Sequence, residues 1–163
     1  MSRRNSLAST ITGGIVAGAV GTFALDASTY ADIALRGRPP SEVPEKVAQR
    51  FIEQAGIDLG DDPESAKNRR SGIATLLGYA TGISGGIAYG LARRRFSRTS
   101  TATLGLGLGF GVMAVTDTSS TLAGATDPRT WGVSGWLADA FFHAIYGVVT
   151  ASTFDSWSRS QRL

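Results

Sequence analysis

Four ionisable residues lie in or beside long apolar stretches of the chain: Asp26, Asp117, Asp139 and His143. Asp139 and His143 are four residues apart, so on a helix they share one face, one turn apart. Carboxylates and an imidazole can exchange protons near neutral pH, and ionisable groups inside a membrane commonly mark proton or ion pathways. One interpretation is therefore a proton or cation relay, or a polar substrate pocket. The other is a structural hydrogen-bond network that locks helices together.

Other kinds of active site have no support in the sequence. The chain has no cysteine, which excludes disulfides, thiolate metal sites and thiol nucleophiles. The carboxylates and the single histidine match no specific metal-ligand motif, and neither a nucleophile elbow nor a phosphate-binding loop ending in Lys-Ser/Thr occurs. The Gly-Leu-Gly-Leu-Gly run that begins at Gly105 follows no strand, so it is not a nucleotide loop. We expect no metal, no cofactor and no enzymatic activity.

Long uncharged runs indicate the fold class. A helix needs about 20 apolar residues to cross a hydrocarbon core of roughly 30 Å. The runs 5–25 and 71–92 meet this length and are flanked by arginines, and two later runs carry few ionisable residues. A soluble glycine-rich bundle, or a signal peptide in place of the first helix, is the alternative. The sequence predicts an all-α integral membrane four-helix bundle, a single membrane domain over 1–163 with helices at about 6–30, 71–92, 101–124 and 131–154.

The polar segment 36–70 separates the first two predicted helices and contains a helix of its own. Ser41 is the expected N-cap, and Gly56 is expected to end the helix. Apolar residues at a spacing of four make this helix amphipathic: Val43, Val47, Phe51 and Ala55. We expect it to lie on the membrane surface or against the bundle, and a partner-docking face is the functional alternative.

Glycines recur at four-residue spacing within three predicted helices, as in a glycine zipper. Residues at this spacing lie near one helix face, and the absence of side chains lets two backbones approach closely. We interpret this face as packing within the chain; a homo-oligomer seam or a pore lining is the alternative. The predicted packing positions are Gly14, Gly18, Gly78, Gly82, Gly86, Gly90, Gly105 and Gly109.

The two halves of the chain resemble each other. Asp26 corresponds to Asp117 at the same offset that relates Gly14 to Gly105, and Tyr89-Gly90 corresponds to Tyr146-Gly147 in the second and fourth helices. These matches predict two similar helical hairpins related by a pseudo-twofold axis along the membrane normal. In that arrangement Asp26, Asp117 and Asp139 lie at a similar depth.

The net charge of +3 arises mainly from arginine clusters beside apolar runs. Such clusters suit anionic lipid headgroups, and no interleaving of aromatic and basic residues suggests a nucleic acid partner. The total number of Lys and Arg residues is the same on both sides of the predicted membrane, so this total does not indicate the orientation. The short arginine-rich hairpin at Arg93 and the terminal Arg3 and Arg4 favour both termini in the cytoplasm.

Two segments carry a resemblance to known sequences. Asp26 to Pro44 (DASTYADIALRGRPPSEVP) and Asp127 to Gly147 (DPRTWGVSGWLADAFFHAIYG) resemble an uncharacterised family of small actinobacterial multi-span membrane proteins. The histidine followed by Tyr-Gly in the last helix looks like the YagU-like inner-membrane proteins. The resemblance implies four helices in a bacterial plasma membrane but no activity.

Two functions follow from these patterns. The first is a non-enzymatic packing or interaction subunit in the lipid bilayer, forming a homo-oligomer or part of a membrane protein complex. The second is a small transporter or proton-linked channel that uses the Asp/His cluster.

Overall fold

The computed structural model describes residues 6–161, which form five α-helices and one short 3-10 helix, with no strand among them. The all-α prediction is confirmed. Arg3 and Arg4, on which part of the predicted orientation rests, lie outside the described residues. The helices are α1 (Leu7–Arg36), α2 (Val43–Ala55), α3 (Pro63–Arg95), α4 (Thr101–Leu122) and α5 (Gly132–Ser160), with the 3-10 turn Pro128–Thr130 before α5.

The membrane-length helices are longer than the apolar runs predicted. α3 begins at Pro63 rather than near 71, because the Asp62 side chain caps it by accepting a hydrogen bond of 2.8 Å from the Ser65 N–H. Much of the segment predicted as a loop is therefore the polar start of α3. α1 continues past residue 30 to Gly37, whose φ of 64° ends it, and α5 continues past residue 154.

α2 is the amphipathic helix predicted in the polar segment. It ends at Gly56, which adopts a φ of 64° as the C-cap, and it begins one residue later than a cap at Ser41 would place it. Its buried residues Ala48 and Ile52 pack with Ala74 of α3. Of the two placements expected for this helix, the structure thus has α2 lying against the bundle.

α1 is central in the helix arrangement. It packs along both α3 and α5, while α4 packs along α5. Contact between α3 and α4 is limited. The buried cluster where α1, α3 and α5 meet consists of Ala17, Tyr89, Ala151 and Phe154.

Small side chains are buried in this protein and large hydrophobic ones are exposed, which is the reverse of the arrangement in a soluble protein. The buried faces of α1 and α3 consist largely of glycine, alanine and threonine. Large hydrophobic side chains point outward instead, including Phe23 (70% exposed), Val133 (77%) and Leu122 (84%). Extensive exposed apolar surface of this kind is rare on soluble monomers and is typical of surfaces that contact lipid or partners.

Two helices, α1 and α5, are long and apolar enough to cross a membrane. α3 and α4 do not meet the same criterion among the described residues. Glycine, hydroxyl residues and tyrosine lower the mean hydropathy of α3, and Asp117 with a run of hydroxyl residues lowers that of α4. The structure therefore supports membrane association, and the four-span arrangement stays a prediction.

Candidate functional site

Asp139 and His143 form the core of a polar cluster on α5. The helix carries them on one face, and His143 Nδ1 lies 3.2 Å from the Asp139 Oδ1 and 3.0 Å from the Asp139 backbone oxygen. The His143 side chain is 12% exposed and that of Asp139 is 26% exposed. The predicted one-turn pairing is thus present and largely shielded from solvent.

Asp117 of α4 completes this cluster. Its carboxyl is close enough to interact electrostatically with Asp139 and His143. Two carboxyls can share a hydrogen bond only when one of them carries a proton. Asp139 Oδ2 is enclosed, and no fixed donor among residues 6–161 hydrogen-bonds to it. We name Asp117, Asp139 and His143 the acid cluster.

Asp26 does not belong to the acid cluster, although the repeat predicts it there. It lies on α1, which packs along α3 and α5 rather than α4, and its half-buried side chain makes no ion pair or hydrogen bond with another residue of 6–161. Equivalence in a repeat fixes a similar depth, but not the same face or the same neighbours. The predicted group of four is therefore a group of three.

Two hydroxyls of α4 on either side of Asp117 in the sequence donate to the backbone of their own helix. Thr116 Oγ1 donates to the carbonyls of Val112 and Met113, each at 3.0 Å, and Thr121 Oγ1 donates to the Asp117 carbonyl at 2.7 Å. They therefore do not neutralise the acid cluster. Within residues 6–161 no group of three His, Asp or Glu side chains is arranged to hold a metal ion.

A cleft of about 500 Å³ opens beside Asp117 between α4 and the start of α5. Trp136 forms one wall, and its ring centroid lies 5.1 Å from that of Trp131. Trp131 is fixed in turn, because its Nε1 donates a hydrogen bond of 2.8 Å to the Thr126 hydroxyl. We name this space the Asp117 cleft.

Glycines form the contact between α1 and α3. A Cβ added at Gly86 would lie 2.5 Å from the Cα of Gly18, and one added at Gly18 would lie 2.6 Å from the Gly82 oxygen. A Cβ at Gly14 would also collide with the α3 backbone. The two backbones are thus close enough that no larger residue fits without a shift.

A second glycine contact joins α4 to α5. A Cβ at Gly105 would lie 2.9 Å from the Gly147 oxygen, and one at Gly109 would lie 2.9 Å from the His143 carbonyl carbon. The backbone next to His143 is therefore held directly against α4. Gly147 belongs to this contact as well, although the sequence indicated it only through its correspondence with Gly90 in the repeat.

Two further predicted packing glycines, Gly90 and Gly78, differ in whether they contact another helix. Gly90 lies under the Phe154 ring, 2.7 Å from where its Cβ would be, whereas Gly78 has no atom within 4 Å of that position. The prediction of packing at Gly78 is wrong for this chain, since the spacing of four drifts off the buried face over the length of α3. Gly107 and Gly111 are equally open and line a groove of about 610 Å³ between α3 and α4.

A buried ion pair between α3 and α5 was not predicted from the sequence. Arg93 Nε and Nη2 donate to Asp155 Oδ1 and Oδ2 at 3.0 and 2.9 Å, and the Thr101 hydroxyl donates to Oδ2 at 2.6 Å. Arg93 also donates to the Thr99 carbonyl. Arg93 was used only to predict the membrane orientation, and Asp155 lies one residue past the predicted end of the last helix. The sequence did contain a signal for this pair, because Asp155 is a lone acid at the same end of the bundle as the arginine-rich hairpin.

Tyr146 links the two helical pairs. Its side chain is 2% exposed, and its hydroxyl donates a hydrogen bond of 2.6 Å to the Gly82 carbonyl of α3. Tyr89, its counterpart in the repeat, is equally buried and packs edge-on against Phe154. Both Tyr-Gly pairs thus lie at helix contacts.

Comparison with known protein families, curated proteins and solved structures finds no match to this chain. The resemblance to actinobacterial and YagU-like proteins therefore stays a prediction, and the site must be interpreted from its own chemistry.

Proposed function

We propose that the chain is a multi-pass protein of a bacterial plasma membrane, crossing it with α1, α3, α4 and α5 and keeping both termini in the cytoplasm. The glycine contacts support this proposal. α1 and α5 have the length and apolarity of membrane spans, and α3 and α4 lie in backbone contact with them. Helices in such close contact share the same depth, and their outward-facing side chains are the large apolar ones.

Within that membrane, we propose, the protein is a small non-enzymatic transporter or channel for a cation, linked to protons. The observation that carries this proposal is the acid cluster, in which no fixed donor hydrogen-bonds to the enclosed Asp139 Oδ2 and Asp117 lies nearby. One proton between the two carboxyls satisfies them, and its loss leaves a charge that a cation can balance. His143 provides a second proton acceptor within the same cluster.

The ion pair of Asp155 is an example of a structural role, and the acid cluster differs from it in how its carboxylate oxygens are satisfied. Both Asp155 oxygens are held by permanent donors, Arg93 and Thr101, as expected of a network that only stabilises the fold. Asp139 has the His143 ring on one oxygen, and no donor among residues 6–161 hydrogen-bonds to the other. Buried polar groups left in this state are costly and are typical of functional sites in membranes.

Proton flux across proteoliposomes tests the proposal. Protein reconstituted with an internal pH-sensitive dye and an imposed gradient should transport protons faster than empty vesicles. Asp139→Asn and His143→Ala should abolish this flux, because each removes a titrating member of the acid cluster. Asp26→Asn is the matched control, since it removes an intramembrane carboxyl outside the cluster, and it should keep the flux. Wild-type vesicles no leakier than empty ones would refute this function.

The open groove between α3 and α4 favours a second candidate function, that of an interaction subunit. Gly107 and Gly111 lie on one face of α4 with nothing against them, and this spacing lets transmembrane helices approach closely. The occupant we propose is α4 of a second copy of this chain. Gly107→Cys should then form a disulfide-linked dimer in oxidised membranes, whereas a cysteine at the exposed Leu76 should not. Equal crosslinking at both positions would reflect random collision instead.

A further inference from the structure

The Asp117 cleft combines one acid with a lining that is largely apolar. Phe110, Met113, Leu122 and Trp136 supply most of its surface, and Asp117 is the charged residue among those that line it. Its volume of about 500 Å³ lies within the range of about 300–1,000 Å³ in which proteins bind small molecules. A bare metal ion would leave most of this surface without a partner. The lining instead suits a bulky, apolar molecule.

The charge of the site selects the sign of that molecule. Asp117 is the one charged side chain among the residues that line the cleft, and a carboxylate there favours a cation. A cation can also lie over the face of an aromatic ring, and Trp is the best ring for this interaction. Trp136 is 42% exposed within the cleft and is supported from behind by Trp131. An acid and an indole therefore face the same space.

The neighbouring arginines do not cancel this charge. Arg50 of α2 reaches the Ala123 carbonyl at the end of α4, but its guanidinium pairs with Glu53 at 3.2 Å. Arg129 is 89% exposed and pairs with Asp127 at 2.9 Å. Each arginine already has a carboxylate partner.

We propose that the Asp117 cleft binds a lipophilic organic cation, with the positive charge against Asp117 and the apolar groups against Trp136 and Phe110. This proposal rests on the proposed function, and it names the cation that the acid cluster handles. The binding step exchanges one charge for another. The cation forms an ion pair with the Asp117 carboxylate, and the proton shared with Asp139 leaves to water, so one cation enters as one proton departs.

Titration with tetraphenylphosphonium, a lipophilic cation, tests the proposal on purified protein in detergent. Calorimetry should show one bound cation, with about one proton released into weakly buffered solution, and affinity should fall as the pH is lowered from about 8 to about 5. Asp117→Asn should weaken binding at least about tenfold, while Asp26→Asn, the matched control, should stay within about twofold. Neutral triphenylphosphine oxide should release no proton.

The pH dependence of the wild type needs no variant, so the proposal stays testable if Asp117→Asn does not fold. Equal affinity at both pH values, or equal losses in Asp117→Asn and Asp26→Asn, would overturn the cation site. Cation binding without proton flux in proteoliposomes would refute the transport function and leave the site standing. Proton flux without cation binding would refute the cation site and leave the transport function standing.

Discussion

Arg93 and Asp155 hold α3 and α5 together at the end of the bundle that carries the arginine hairpin. The guanidinium meets the carboxylate with two nitrogens at 2.9 and 3.0 Å, and only 6% of the Asp155 side chain is exposed. Two-point pairing fixes the direction as well as the distance of the contact. This end of the bundle is therefore held by a permanent pair, whereas Asp117 and Asp139 lie where no permanent donor reaches the enclosed Asp139 oxygen.

Replacement of Asp155 tests how much the pair contributes to stability. Asp155→Asn leaves Arg93 without its counter-charge, and removal of one partner from a buried pair typically costs about 3–5 kcal/mol. Unfolding in detergent should show this loss. Arg129→Ala breaks another two-point pair, but the Arg129 side chain is 89% exposed, so it should change stability far less than Asp155→Asn does. Similar losses in both variants would mean that burial of the Asp155 pair adds nothing.

Much of the helix framework was predictable from the sequence because uncharged runs reveal where apolar helices must lie. The runs at 5–25 and 71–92 placed the middles of α1 and α3 correctly. They could not place the ends, since polar residues extend a helix without changing its apolar run. Asp62 and Pro63 formed a recognisable helix start, although the prediction left them within the polar segment 36–70.

The contacts between helices were less predictable than the helices themselves. Spacing identifies a face but not the helix that covers it, so it could not separate the packed Gly86 from the open Gly78. The Asp139–His143 pair was predictable because both residues lie on one helix. The separation of Asp26 from Asp117 depends on α1 packing with α3 and α5 rather than α4, which the sequence does not encode locally.

Two glycines of α3 should respond oppositely to added volume. A Cβ at Gly86 would lie 2.5 Å from the Gly18 Cα, whereas at Gly78 it meets nothing within 4 Å. Gly86→Ala should destabilise the protein by about 1–3 kcal/mol because two backbones must separate. Gly78→Ala should be neutral or stabilising by up to about 1 kcal/mol, because alanine favours helix. Thermal unfolding of both variants in one detergent makes the comparison, and a stable Gly86→Ala protein would contradict this packing.

The Asp127 carboxyl outside the helices should titrate at unusually low pH. Hydrogen bonds from the Arg129 side chain and backbone N–H lower its pKa below the ordinary value of 3.8. A lowered folded-state pKa means that the contribution of Asp127 to stability is complete above the unfolded pKa and is lost as the pH falls through the folded one. Carboxyl NMR titration should give a midpoint below 3.8. Arg129→Ala should move this midpoint back towards that value, and no movement would show that Arg129 is not the cause.

Membrane orientation is the final prediction, and the absence of cysteine makes it simple to measure. Ser97 lies in the exposed turn between α3 and α4, and Asp61 lies in the exposed segment before α3. Because α3 separates the two positions, they should face opposite sides of the membrane. With cytoplasmic termini, Asp61→Cys should react with an impermeant thiol reagent in intact cells, and Ser97→Cys should react only after the cells are opened. Labelling of Ser97→Cys alone in intact cells would reverse the orientation. Labelling of both would mean that α3 does not cross the membrane.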